Sequence, residues 1–142
     1  MRSLRTLATA LFLTPLVAVS LPAFGLRRTQ AWMSRWPAPR RPRAPAGAAT
    51  ARAREVARAV GLAAAHGPVR ASCLRRALVA WWLLRREGIP VAIRIGVRRD
   101  GTSLTSHAWI EHVGMPVGDP PETVASYASF EADFAAMPEP GP

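Results

Sequence analysis

The hydrophobic period of the chain changes once, near Gly88, and this change limits the folds that the chain can adopt. Before it, residues 50–87 repeat apolar side chains every three or four positions, which is typical of amphipathic helices. After it, residues 91–98 and 104–113 read as half-buried strands, in which apolar and other side chains alternate. Helices followed by a small antiparallel sheet predict an α+β fold.

Turn and capping residues place the ends of these elements. Thr50 is a candidate cap for a first helix, which the Gly-Pro pair at 67–68 ends. Ser72 is a candidate cap for a second helix, which ends just before the change of period. The Asp-Gly pair at 100–101 predicts a tight turn between the two long strands, and a short third strand follows at 115–118.

Composition divides the chain into four parts. Residues 1–36 form an apolar and basic segment that is predicted to be helical. Residues 37–49 are rich in proline and arginine, a composition that cannot pack a core and predicts an extended linker. The compact domain is predicted at 50–135, where the last part, around Tyr127, is a short helix or an irregular cover. A disordered tail is predicted at 136–142.

Residues 6–26 carry no charge and have arginines on both sides. Their length is close to the roughly 20 apolar residues that a membrane helix needs. Three alternatives are open for this stretch: a signal peptide, a membrane or interfacial anchor, and a helix that packs on the domain or on a partner. Pro15 and Pro22 predict that the stretch does not form a single long helix.

The charge of the chain is strongly unbalanced. All 19 basic residues are arginines, and with 9 acidic residues they give a net charge of +10. From Met1 to Arg54 there is no acidic residue, so the front of the chain can meet an anionic lipid, an acidic protein or a nucleic acid. Because there is no zinc-finger spacing, no glycine-rich RNA-binding signature and little interleaving of aromatic residues with arginines, a nucleic-acid partner is not expected.

Cys73 is the single cysteine, which excludes an intrachain disulfide framework. The three histidines show no ligand pair at a recognisable zinc spacing, and there is no phosphate-binding glycine loop. No metal and no cofactor are therefore expected.

Cys73 falls in the first turn of the second predicted helix. The unpaired backbone N–H groups and the positive end of the helix dipole favour a thiolate there, and Arg75 and Arg76 add positive charge. The thiolate is the nucleophilic form of cysteine. The alternative is a small buried apolar residue, because free cysteine is among the most buried residue types.

His107 lies inside the second predicted strand and is a candidate base for the thiol. Asp119 ends the next strand, and a hairpin of this length can bring it beside His107 to orient the imidazole. Glu111, on the same face of the strand as His107, is a weaker candidate for that role. The alternatives are a structural histidine and a turn aspartate before a Pro-Pro pair.

A cysteine on a helix terminus, a histidine on a strand and an aspartate on the next strand follow the order of papain-like and transglutaminase-like cysteine enzymes. The segments SCLRRALVAWWLLRREGIPVAIRIGVRR and SHAWIEHVGMPVGD resemble the cysteine protease of lasso-peptide biosynthesis, a transglutaminase-like leader peptidase. The resemblance covers about residues 52 to 130, and it rests on the Cys-Leu-Arg start of a helix, Leu-Leu-Arg-Arg-x-Gly, Ile-Gly-Val and His-Ala-Trp-Ile-Glu followed by an aspartate.

The resemblance implies that Cys73, His107 and Asp119 are a catalytic triad. It implies that the substrate is a lasso-peptide precursor, cut between leader and core in the cytoplasm. It further implies the stand-alone form of the protease, which needs a separate leader-recognition protein and hands its product to a macrolactam synthetase. For residues 6–26 it favours a helix packed on the domain or a partner, with membrane association as the second alternative.

The sequence alone leaves open two alternative functions and the identity of one hydrogen-bond donor to the oxyanion. The rivals are an acyl transferase on the same fold and a non-enzymatic, membrane-associated basic adaptor in which Cys73 and His107 are structural. For the oxyanion, the backbone N–H of Cys73 is one candidate donor. The indole N–H of Trp109 and a loop amide are considered for the second.

Overall fold

The computed structural model describes residues 2–36, 45–67 and 72–130 of the chain. It confirms the predicted α+β arrangement of helices followed by a small antiparallel sheet. The elements in chain order are α1 (Arg2–Ser34), α2 (Ala46–His66), α3 (Cys73–Arg86), β1 (Ala92–Asp100), β2 (Ser103–His112), β3 (Met115–Val117), α4 (Pro121–Ala125) and β4 (Ala128–Phe130).

The sheet has four antiparallel strands in the order β3-β2-β1-β4. The long hairpin of β1 and β2 runs from the pair Ala92 and Glu111 to the pair Asp100 and Ser103. β3 pairs only with the last three residues of β2, from Ile110 to His112, so it covers a small part of that edge. β4 pairs with β1 on the other side, and the sequence did not predict it because three residues are too few to show a period.

The core is centred on α3, which packs against α1, α2 and both long strands. Its apolar face is almost fully buried at Leu78, Trp81 and Leu84. α2 contributes buried valines to this core, and the sheet contributes Ile93 and Ile110. Burial of each of these large side chains stabilises the fold by about 1.5 to 3 kcal/mol.

α2 begins at Ala46, four residues before the predicted start at Thr50. Thr50 does not cap the helix, because its hydroxyl donates to the Ala46 carbonyl inside the first turn. Pro45 stands at the N-cap instead, with no side-chain capping bond. A short run of Ala and Gly before Thr50 carries no apolar period, so the pattern could not locate the true start.

α1 continues through both of its prolines, so the prediction that Pro15 and Pro22 break it was wrong. The break lies at Gly25, whose φ of 76° and ψ of 168° are not helical and suit glycine. The helix continues across Pro15 because Leu13 and Val17, on either side, are both buried against the domain. A proline that removes one hydrogen bond bends a helix without ending it when tertiary packing holds both sides.

Arg52 ties three helices together. From α2 it donates from Nε and Nη2 to the carboxylate of Glu87 at the end of α3, at 2.8 and 2.6 Å. Nη2 also donates to the hydroxyl of Thr6 in α1 at 2.8 Å, and Nη1 lies 2.9 Å from Glu55. The hydrogen bond to Glu87 holds the pKa of Arg52 above its ordinary value. One face of α1 is therefore part of the domain rather than a separate segment.

Some predictions fall outside the residues that the structure describes. They concern most of the linker predicted at 37–49 and the tail predicted at 136–142.

Candidate active site

Cys73 is the first residue of α3 and is half-buried at the edge of the core. Ser72 caps the helix: its backbone is extended, and its hydroxyl accepts the Arg75 N–H at 3.4 Å. The Ser72 carbonyl accepts the Arg76 N–H at 3.0 Å. The backbone N–H groups of Cys73 and Leu74 have no described acceptor. A negative charge at Cys73 is favoured by this position.

His107 lies on β2, opposite Gly96 of β1, and its side chain is 14% exposed. Its Nε2 atom lies 3.2 Å from Oδ1 of Asp119, within hydrogen-bonding distance. A carboxylate can only accept, so this bond places the proton of a neutral imidazole on Nε2. The lone pair of Nδ1 is then the one that can accept a proton from a thiol.

Two aromatic rings hold the His107 side chain. The Trp109 ring is stacked on it, with centroids 6.0 Å apart and an interplanar angle of 21°. Tyr127, just before β4, covers it at 5.4 Å and 36°. Gly96 leaves the necessary space, because a Cβ atom there would lie 2.9 Å from both Trp109 and Tyr127. The face of the sheet around His107 is therefore tightly packed.

Asp119 lies two residues after β3, beside the part of β2 that β3 leaves uncovered. Gly118 shapes this exit: its φ is +92°, and a Cβ atom there would lie 2.8 Å from Cβ of Ala57. α2 therefore packs directly on the end of β3. This close approach fixes the backbone that carries Asp119 towards His107.

A cavity with a volume of about 170 Å³ lies between α2, α3 and this edge of the sheet. Cys73 and Asp119 both line it, on opposite elements. Two arginines, Arg58 from α2 and Arg76 from α3, line it as well, and the other walls are mainly small or apolar residues. The cavity thus combines a nucleophilic side chain, a carboxylate and positive charge in one partly enclosed space.

The structure joins two of the three predicted site residues directly and the third through the cavity. Asp119 is hydrogen-bonded to His107 and shares the cavity with Cys73. Among the described residues, no hydrogen bond links Cys73 to His107. Alternation along β2 places His107 on the opposite face from Ala108 and Ile110, which point to the core beneath α3.

Glu111 and Trp109 form a separate pair on the same face as His107. The Trp109 indole donates to Oε1 of Glu111 at 3.0 Å, and Arg94 donates to the other carboxylate oxygen at 3.0 Å. Glu111 is therefore paired with Trp109 and Arg94, and Asp119 is the acid that contacts the imidazole. The Trp109 N–H group, which the sequence analysis considers as a second oxyanion donor, donates to Glu111 in this structure.

The other two histidines have different surroundings. His112 is buried, and its Nδ1 atom lies 2.7 Å from the carbonyl oxygen of Pro90. His66 is exposed at the end of α2, with Nδ1 3.2 Å from the Leu62 carbonyl oxygen. Neither has a described hydrogen bond to Asp119 or Cys73. The part of the chain that the structure describes has no cluster of three or more His, Cys, Asp or Glu side chains able to hold a metal ion.

A family model described as the transglutaminase-like superfamily matches residues 16–132. This match covers most of the chain and includes Cys73, His107 and Asp119. The chain belongs to the transglutaminase-like superfamily. Among curated proteins and among solved structures, no significant match to the chain was found.

Membership in the transglutaminase-like superfamily is consistent with a cysteine protease or an acyl transferase. The match begins inside α1, at residue 16, which agrees with the packing of α1 on the domain.

The sequence did not reveal the parts played by Tyr127 and Gly96. Tyr127 was predicted only as part of a C-terminal cover, because its approach to His107 depends on the pairing of β4 with β1. Gly96 offered one signal, since a glycine inside a strand often marks a close approach of another group.

Proposed function

We propose that this chain is a cysteine endopeptidase that removes the leader from a lasso-peptide precursor, together with a separate leader-recognition protein. The observation that carries the proposal is the placement of Asp119, which bonds to His107 and lines the same cavity as Cys73. The resemblance of the segments around these residues to the lasso leader peptidase supports the substrate.

In the proposed reaction Cys73 is the nucleophile. Its thiol gives a proton to Nδ1 of His107, and the sulfur attacks the scissile carbonyl carbon to form a tetrahedral intermediate. The C–N bond then breaks, the imidazolium gives its proton to the leaving amine, and a thioester remains on Cys73. Asp119 accepts from Nε2 throughout, so it keeps the imidazole in the useful tautomer and stabilises its positive form.

Hydrolysis of the thioester completes the cycle. A water molecule gives a proton to Nδ1 of His107 and attacks the thioester carbonyl, and the Cys73 sulfur leaves and recovers its proton. The products are a leader with a free carboxylate and a core peptide with a free amine. That amine is the group that a macrolactam synthetase would acylate, which makes the synthetase the next partner.

The oxyanion of each tetrahedral intermediate needs hydrogen-bond donors. The backbone N–H of Cys73, at the start of α3, is the first of them in this proposal. It has no described acceptor and lies where the helix dipole is positive. The second donor is not assigned, since the indole of Trp109 is bonded to Glu111.

Among the described residues Cys73 and His107 share no hydrogen bond, which fits a site that closes when substrate binds. Catalytic hydrogen bonds are often long or unformed in free enzymes and tighten in the complex with substrate. In this proposal the leader-recognition protein delivers the precursor to the cavity, and the peptide between α2, α3 and β3 brings the thiol to the imidazole. The reaction takes place in the cytoplasm, where the precursor is made.

An acyl transferase is the second candidate, because the superfamily includes enzymes that resolve the same thioester with an amine. The two functions share every step up to the thioester. Their products differ in mass, since hydrolysis adds water to the acyl group whereas transfer leaves an adduct with the amine.

The test combines the precursor peptide, the candidate recognition protein and this chain, and follows masses over time. Wild type should cut one peptide bond, and Cys73→Ala should lower the rate by at least about 10⁴-fold, because it removes the nucleophile. His66→Ala is the matched control, since this histidine is exposed and does not line the cavity. It should keep the wild-type rate.

Two results would contradict the proposal. If the precursor stays intact with folded wild type and the recognition protein present, the adaptor function becomes the better account. If Cys73→Ala cuts as fast as wild type, the nucleophile lies elsewhere. Circular dichroism of Cys73→Ala separates loss of chemistry from loss of the fold, because Cys73 also packs at the edge of the core.

A further inference from the structure

The outward face of α1 is apolar although it is exposed. Its inner face packs on α2 and α3, and the opposite side carries large side chains in the open, including Phe12 at 75% and Val19 at 69% exposure. The exposed members recur with the helical period, at Leu4, Leu11, Phe12, Leu16, Val19 and Phe24. A surface helix of a soluble domain normally carries polar residues on that side.

The two ends of this face are basic. Arg5 lies at one end and Arg27 and Arg28 at the other, all three exposed, and no described residue forms an ion pair with them. The distance along the helix from Arg5 to Arg27 is about 33 Å at 1.5 Å per residue. Between them there is no charged residue, and the whole stretch from Met1 to Arg54 has no acid.

Beyond the break at Gly25, the second limb of α1 shows the composition of a membrane interface. Trp32 is exposed there and Trp36 is exposed just after the end of α1, next to Arg28 and Arg35. Tryptophan favours the boundary between water and lipid because its ring is apolar and its N–H group is polar. α1 is also long and apolar enough to cross a membrane, with only 22% of its most apolar stretch buried.

We propose that the outward face of α1 binds the surface of a membrane that contains anionic lipids. The helix lies flat, with its inner face still packed on the domain, and Phe12, Val19 and their neighbours enter the boundary between headgroups and acyl chains. The arginines at both ends bind lipid phosphates. This binding does not depend on the proposed peptidase activity and would hold the cavity near the membrane.

Lipid fits this face better than a protein partner does. A protein that docked here would need to cover a long apolar stripe and also supply acids at both ends and beside Trp36. An anionic bilayer provides both features in one flat surface. A spanning helix is disfavoured, because Ala10, Leu13 and Val17 would have to leave the core and Arg52 would lose Thr6.

The test uses the full chain with two kinds of vesicle, pure phosphatidylcholine and a mixture rich in phosphatidylglycerol, in a flotation assay. We expect binding to the anionic vesicles, weakening as salt is added. Tryptophan fluorescence should shift to the blue, since Trp32 and Trp36 enter a less polar environment while Trp81, Trp82 and Trp109 are already buried.

The key variant is Phe12→Gln with Val19→Gln, which should lower the vesicle partition coefficient on the order of thirtyfold or more. The matched control is Leu104→Gln with Val113→Gln, which removes two apolar side chains, 69% exposed on β2 and 80% exposed in the turn after it. The control should bind as wild type does. All four side chains lie outside the core, so the variants should fold, and circular dichroism checks this.

Several outcomes would overturn the proposal. One is the absence of flotation with anionic vesicles at low salt. The others are equal vesicle binding by the two double variants and equal binding of wild type to neutral and anionic vesicles. Dimers that form through this face without vesicle binding would identify a second copy as its occupant. Protein that stays with the membrane after carbonate extraction would show a spanning helix instead of a flat one.

Discussion

His107 and Cys73 belong to one candidate site, but the fold holds them in different ways. His107 is fixed by a hydrogen bond to Asp119 and by two aromatic rings. Cys73 is placed by the backbone of α3, with its side chain on a cavity wall. In the proposed mechanism His107 is therefore held in place before substrate binds, whereas the Cys73 thiol still has to form its hydrogen bond with the imidazole.

This comparison suggests an order for the reaction. A tightly packed base and acid cost little reorganisation when charge develops on the imidazole. A half-buried thiol that is not paired with the imidazole would stay unreactive until a peptide fills the cavity. A protease that must cut only one precursor gains specificity if closure depends on the correct substrate.

The largest expected effect comes from removing the prepared base. His107→Ala should lower precursor cleavage by about 10³-fold, because no other described histidine contacts Asp119. The measurement is the cleavage rate under saturating recognition protein. If the cleavage rate falls by less than about tenfold, His107 and the rings packed on it have a structural role only. His112→Ala provides a contrast, since it should reduce stability through loss of the Pro90 contact.

The next effect concerns the charge of Asp119. Asp119→Asn should lower cleavage on the order of a hundredfold and leave measurable activity. The amide oxygen can still accept from Nε2 of His107, but it no longer stabilises the positive imidazole with a full charge. Asp100→Asn is the control, because that carboxylate is exposed and pairs only with Arg98 among the described side chains. Wild-type activity in Asp119→Asn would remove Asp119 from the mechanism.

Gly96→Ala tests the packing behind His107. A methyl group there would lie 2.9 Å from Trp109 and from Tyr127, so the rings must move. We expect the free energy of unfolding to fall by about 1 to 3 kcal/mol, measured by urea titration. Gly47→Ala, where nothing lies within 4 Å, should be neutral or slightly stabilising. Equal stability of both variants would contradict the tight packing of this face.

The smallest effect is expected at Tyr127. Tyr127→Ala should reduce the cleavage rate by about tenfold, because the imidazole gains freedom when the ring on one side is lost. Tyr127→Phe should keep nearly full activity, since the contact is made by the ring. The kinetic constants and the pH profile of both variants separate positioning from folding. If Tyr127→Phe lowers the cleavage rate as much as Tyr127→Ala does, the hydroxyl group contributes to activity as well as the ring.

The sequence predicted the elements on which the candidate site lies and the proximity of Asp119 to His107. Period and caps located α3 and the long strands, and strand order made Asp119 a neighbour of His107. The features that the sequence could not predict depend on contacts between residues that are far apart in the chain. The approach of Tyr127 follows from a three-residue strand, β4, and the break of α1 falls at Gly25 because packing holds the helix across Pro15.

The sequence also could not predict that no hydrogen bond links Cys73 to His107 among the described residues. Residue order suggests that the three side chains converge, but the face of β2 on which His107 lies depends on strand register and on the position of α3. Glu111 illustrates the same limit. It shares a face with His107, yet Arg94 opposite Trp109 and the Trp109 indole occupy its carboxylate.

The alkylation rate of Cys73 by iodoacetamide, read by intact mass, tests directly whether His107 activates this thiol. The chain has one cysteine, so every adduct reports on this thiol. The rate should be compared for wild type and His107→Ala. Each protein is measured alone and together with the recognition protein and a precursor peptide that cannot be cleaved. We expect slow, similar rates in the free proteins. With a bound peptide that leaves the thiol accessible, wild type should react at least about tenfold faster than His107→Ala. Equal rates for the two proteins with the peptide bound would contradict a nucleophile activated by His107.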